Sequence, residues 1–136
     1  MGEHHEALKK NQKGFFSGSH EDFKSLEPKR IELFQSLIDY LDENNVKVVL
    51  NIMPIQPYYK TLVLQYSQYN NRMNELLSIL NSLKDKHKNI ILIQNNNDIS
   101  KFSGFENQFF DHIHPTSVNS KLMLLQIRKN IKDSVI

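Results

Sequence analysis

Phe109-Phe110-Asp111-His112-Ile113-His114-Pro115-Thr116 is the one segment of this chain with chemical character. Asp111 and His114 stand three residues apart. Across a turn, that spacing lets a carboxylate reach the Nδ1 side of an imidazole, fix its tautomer and stabilise the imidazolium once the ring takes a proton. Pro115 biases His114 towards extended backbone, which keeps its ring out of the helix that follows. Thr116 or Ser117 then caps that helix. The plainer reading is a helix-entry turn in which Asp111 caps and His114 packs. His112 and His114 also make a His-x-His pair. No third ligand clusters near them, and a metal site needs roughly three or four, so no metal is expected and His112 reads as a solvent-facing neighbour. His87 reads as a cation at a helix end.

The elements that must position this segment follow from periodicity. Residues 1–24 look irregular, with Gly14 and Gly18 marking turns. A helix starts near Ser25, a plausible N-cap, with Pro28 tolerated in its first turn. Ile31, Phe34, Ile38 and Leu41 give it one apolar face, and Asn44-Asn45 ends it. Val46 to Met53 is β-branched and nearly continuous in apolarity, which suits a strand covered on both faces. Pro54 and Pro57 stop it. Tyr66, Tyr69, Met73, Leu76, Leu80 and Leu83 predict one long second helix, its stripe facing the core. Ile90 to Gln94 is a second buried-type strand, and 95–104 a polar loop. A last helix runs from about Ser117, with Val118, Leu122, Leu125 and the 124/127/131 set facing inward. Phe109-Phe110 reads as core packing under the loop, and Tyr58-Tyr59 as a pocket wall or an aromatic ledge at the end of the sheet.

That order predicts an α/β fold: a three-layer parallel-sheet fragment with two clear parallel strands and flanking helices. Two such strands do not make a self-sufficient sheet. The 136 residues are therefore read as a single domain or as the C-terminal portion of one, with 25–136 its α/β part.

Composition narrows the classes. With 39% hydrophobic and 24% charged residues, the chain has material for a core and no stretch apolar enough for a membrane span. Its net charge of +2 comes without a basic run, so no nucleic-acid partner is indicated. The absence of cysteine removes disulfides, thiolate zinc sites and cysteine nucleophiles together. The asparagine pairs and triplet at 44–45, 70–71 and 95–97 read as compositional bias.

Asp-x-x-His-Pro-Thr, placed after a strand and loop and before an amphipathic helix, resembles the last block of the SGNH/GDSL serine hydrolases. Met53-Pro54-Ile55-Gln56-Pro57-Tyr58-Tyr59 is similar to the strand end of a subset that includes DltD-like and alginate O-acetylation-like members. The resemblance covers roughly residues 20–134. It implies that His114 is the general base and Asp111 its orienting partner, in an esterase or O-acyltransferase whose serine attacks an ester carbonyl. It implies an ester or acyl-carrying substrate, a cell-envelope glycopolymer in that subset, handled outside the cytoplasm, and it implies no cofactor.

The departures carry equal weight. No Gly-Asp-Ser occurs in the sequence, and Gly18-Ser19 is the nearest imitation. The family's Gly and Asn oxyanion donors are unmatched, and Asn119 stands where many members have Gly, which reads as a helix-surface change. A His–Asp pair alone lacks the charge stabilisation that usually dominates such catalysis, so this chain is expected to be inactive by itself. Its partner would be an N-terminal half supplying the nucleophile, or a second copy joined through an exposed strand edge. The competing reading is a non-catalytic interaction module that keeps the fold. A flavodoxin-like relic fits less well, because no glycine loop follows a strand.

Overall fold

The computed structural model describes residues 25–134 apart from Ser67. The expectations for residues 1–24, Gly18-Ser19 included, and for the side chain of Tyr66 lie outside the described residues. Helix α1 spans Pro28–Glu43. Its N-cap is Glu27 rather than Ser25. The Glu27 carboxylate accepts from Lys29 N at 3.1 Å and Arg30 N at 3.0 Å, donors that a first helical turn leaves without partners. Pro28 takes the first position, where its missing N–H costs nothing. At the other end Asn44 caps the helix and Asn45 adopts φ 55°, a left-handed conformation that asparagine tolerates.

Strand β1 is Val48–Ile52, shorter than its apolar run, and β2 is Ile90–Asn95. They pair in parallel, as expected. Val48 lies opposite Ile90 and Val49 opposite Leu92, so Ile91 is an extra residue, a bulge in β2. The bulge puts Ile90 and Ile93 on one face although they are three residues apart. With Val48 and Leu50 they pack against Phe34 and Ile38 of α1 and against Ile79 and Leu83. Val49 and Leu92 face the opposite way, onto Phe102, Met123 and Ile127. Helices therefore cover both faces of the two-stranded sheet, giving the three-layer α/β arrangement.

The connection between the strands is two helices, not one: α2 over Pro57–Tyr66 and α3 over Tyr69–Lys86. The three-and-four stepping runs through the break without a glycine or proline, so periodicity could not reveal it. The short helix α2 builds a cluster of its own, in which Tyr59, Leu62 and Val63 pack with Ile55, Tyr58 and Tyr69. The polar loop after β2 also holds more than expected. Asp98 accepts from Ser100 N at 3.0 Å and opens a 3-10 turn, Ile99–Phe102, that drops Phe102 into the core.

Helix α4 runs Ser117–Ser134. Its inward face is the predicted one in part: Ile127 is buried, and Leu122 and Ile131 pack against the same cluster. Asn119 and Met123 are buried too, whereas Val118, Leu124 and Leu125 are exposed. A polar residue at the head of the buried row hid the rest of that face. Of the asparagines read as compositional bias, Asn96 is fully enclosed, as are Asn89 and Asn119 elsewhere in the chain, whereas Asn70 and Asn71 are exposed. Asn96 donates to Asn51 Oδ1 at 2.9 Å and accepts from Gln94 Nε2 at 2.9 Å, while Asn130 of α4 donates to Gln94 Oε1. These carboxamides tie the carboxyl end of the sheet to α4, each donor meeting an acceptor as burial requires.

His87 stands at the C-cap of α3, the helix end expected, and its side chain is buried. Its Nε2 lies 3.0 Å from Asp39 Oδ1 and its Nδ1 3.4 Å from Asp42 Oδ2. Burial works against the Asp42 charge, but hydrogen bonds from Asn89 and His87 outweigh it and hold the carboxyl below its ordinary range. Among the described residues, no helix is long and apolar enough to cross a membrane.

Candidate active site

The loop from Gly104 to Thr116 carries the candidate residues and is built from its base upward. Gly104 is required by space. A Cβ there would lie 2.4 Å from Phe102 Cε2 and 3.1 Å from Asn119 Oδ1. Gln108 and Thr116 then face each other: Thr116 N donates to Gln108 O at 3.1 Å and Thr116 Oγ1 to Gln108 Oε1 at 2.7 Å. Phe109 and Pro115 form an antiparallel bridge, and Phe110 N donates to His114 O at 2.8 Å. The loop is a small pinned hairpin.

Of the two phenylalanines, only Phe109 packs in the core, at 1% exposure; Phe110 is 72% exposed. The bridge explains the split, because successive side chains of an extended strand point to opposite sides.

Asp111 sits at the tip. Its Oδ1 accepts from both Ile113 N and His114 N at 2.8 Å. Its Oδ2 lies 2.6 Å from His114 Nδ1, a short charge-assisted contact. Partial burial opposes the negative charge, but the bonds from the imidazole and from the two amides outweigh it, and the carboxyl is held well below the usual carboxylate range. Asp111 is thus ionised at any ordinary pH. The His114 side chain is 68% exposed, and no described residue bonds its Nε2. The spacing read from sequence does bring the two side chains together.

The loop is also fastened to the sheet. Gln56, which follows β1, donates its backbone N–H to His112 O at 2.9 Å, and its side chain accepts from Tyr59 N at 2.8 Å, capping α2. The His112 ring stacks on buried Tyr59 with centroids 4.2 Å apart. His112 is therefore a packing residue, which corrects its assignment as a solvent-facing neighbour, and Tyr59 is the ledge it rests on. Both contacts place Asp111 and His114 beyond the carboxyl end of β1, the end at which open α/β sheets hold their sites. Among the described residues, no group of three or more His, Cys, Asp or Glu could hold a metal ion.

Sequence reasoning missed Gln56, Gly104 and Asn119. Asn119 is the clearest correction: it is wholly buried, at 0% exposure, and bonded to the loop, not a helix-surface change. Gln56 and Gly104 carried a signal in hindsight, a polar residue between two prolines and a lone glycine beside a phenylalanine. Comparison of the chain with protein-family models, with curated proteins and with solved structures finds no match.

Proposed function

We propose that this chain carries the Asp–His half of a Ser–His–Asp triad of the SGNH type, serving an esterase or O-acyltransferase. One observation supports the reading above the rest: a carboxylate holds Nδ1 of an exposed imidazole whose Nε2 no described residue bonds, at the carboxyl end of a parallel sheet. A serine hydroxyl brought to Nε2 gives its proton to His114 as its oxygen attacks an ester carbonyl. Asp111 stabilises the imidazolium so formed. The imidazolium then protonates the departing alcohol, leaving an acyl-enzyme. His114 next takes the proton of water or of an acceptor hydroxyl as that oxygen attacks the acyl carbonyl, and gives it to the serine oxygen as the acyl group departs. A positioned base of this kind is worth about 10²–10⁴-fold.

The serine and the oxyanion donors are not found in this chain, since it contains no Gly-Asp-Ser. They would come from a segment that pairs beside β1, whose second edge is open among the described residues. The resemblance to envelope acylation proteins points to a glycopolymer hydroxyl as acceptor. Chromogenic acetyl ester hydrolysis tests the reading. The 136-residue chain is expected to be inactive, and the product of the whole natural reading frame active and dependent on His114. Turnover by the isolated chain that His114→Ala abolishes would overturn the division of the triad. A whole product inactive on acyl esters would favour the interaction module.

A further inference from the structure

Asn119 lies in the first turn of α4, fully enclosed, and its side chain makes three hydrogen bonds, all to one short stretch of the loop. Oδ1 accepts from Phe105 N at 2.8 Å, and Nδ2 donates to Phe105 O and to Gln108 O, both at 2.9 Å. No other described residue bonds Phe105 N. The turn thus gripped, closed by Gln108 N on Phe105 O at 3.1 Å, is the base from which the hairpin rises to Asp111 and His114. Gly104 gives way to the same side chain, its missing Cβ leaving room beside Asn119 Oδ1.

We infer that Asn119 is a positioning residue: by clamping Phe105 and Gln108 it sets where the Asp111–His114 pair stands relative to α4 and the sheet. This rests on the triad reading above and deepens it. Besides buried Phe109 and the bonds between Gln108 and Thr116, two further contacts grip the loop. Gln56 and Tyr59 hold its tip through His112; Asn119 holds its base. With Asn119 removed, the Phe105–Gln108 turn loses its side-chain hold, and the arm bearing Asp111 shifts about the contacts that remain at Phe109 and His112. Misplacement of a catalytic group by about 1 Å can cost on the order of 10²-fold in rate. Asn119 acts through the loop and touches no reacting atom.

The test is by NMR on the intact 136-residue chain and needs no activity. Two signals are read: hydrogen exchange at the Ile113 and His114 amides, which donate to Asp111, and the ring nitrogen shifts of His114. Asn119→Ala is compared with Asn96→Ala, which removes an equally buried asparagine whose bonds go to Asn51 and Gln94 and not to the loop. Asn119→Ala is expected to raise exchange at both amides about tenfold or more, by local opening, and to mix the His114 tautomers. Asn96→Ala is expected to leave both signals near wild type. Should Asn119→Ala not fold, Asn119→Ser, which retains a hydroxyl for one of the three bonds, is read by the same signals. Unchanged signals in a folded Asn119 variant, or equal changes in Asn96→Ala, overturn the inference. A loosened loop in a protein whose whole product shows no esterase activity sinks the triad reading instead and leaves the clamp standing.

Discussion

Asp111 serves three donors with two oxygens, and only a carboxylate can do so. Oδ1 holds the amides of Ile113 and His114, and Oδ2 holds the ring. An asparagine that kept the two amides on its oxygen would turn its NH2 group towards His114 Nδ1. The ring would then have to present a bare Nδ1 and carry its proton on Nε2, the nitrogen that accepts from a serine in the proposed triad. Nitrogen NMR of the neutral ring is expected to show the proton on Nδ1 in the native chain and on Nε2 in Asp111→Asn. The same tautomer in both would contradict the orienting role. In an active whole protein the change should lower kcat by about 10⁴-fold, the size of the effect when a triad aspartate elsewhere loses its charge with geometry intact.

The loop is the element on which this account depends, and its anchors give predictions that stability measurements can check. Phe109→Ala removes a wholly buried ring at the bridge with Pro115 and should cost about 3–5 kcal/mol. Phe110→Ala, on the exposed side of the same strand, should change the urea midpoint little. Gly104→Ala sets a methyl 2.4 Å from a buried ring and should cost about 1–3 kcal/mol through overpacking. Equal midpoints for the two phenylalanine variants would mean that the hairpin does not point as described. Much of this element was legible in sequence: the Asp–His spacing and the start of α4 at Ser117 both stand in the structure. What was not legible is how the loop is held. Asn119 is polar, so a search for apolar periodicity counted it as surface; it placed Leu122, Ile127 and Ile131 on the core and turned inward with them Val118, Leu124 and Leu125, which are exposed. The division of α2 from α3 escaped for the opposite reason, because the apolar stepping continues unbroken across it. Ile91 could not announce a bulge, since in a run covered on both faces every position is apolar.

For the molecule as a whole, parallel strands and two-sided packing were written in the continuous apolarity of 46–53 and 90–94, and both are present. The carboxamides between Asn51, Asn96, Gln94 and Asn130 were not, because composition lists asparagines without showing which meet. Stability should fall in acid. Asp98 is lowered to about 2 by the Ser100 amide and by Lys60 at 3.0 Å, and Asp111 is also depressed. A carboxylate whose folded value lies below its unfolded one stabilises fully above the unfolded value, about 3.9, and loses that contribution as pH drops through the folded one. The urea midpoint should therefore hold from neutral pH to about 5 and decline towards 2. Asp98→Asn, lacking the titrating group, should decline less steeply; an equal slope would remove Asp98 from the explanation. The most direct measurement of the central claim is covalent labelling of an activated serine by a fluorophosphonate in the product of the whole natural reading frame. Labelling of one serine outside this chain, lost in both His114→Ala and Asp111→Asn, is the predicted result. A serine labelled at full rate in the His114→Ala protein would show that this imidazole is not its base.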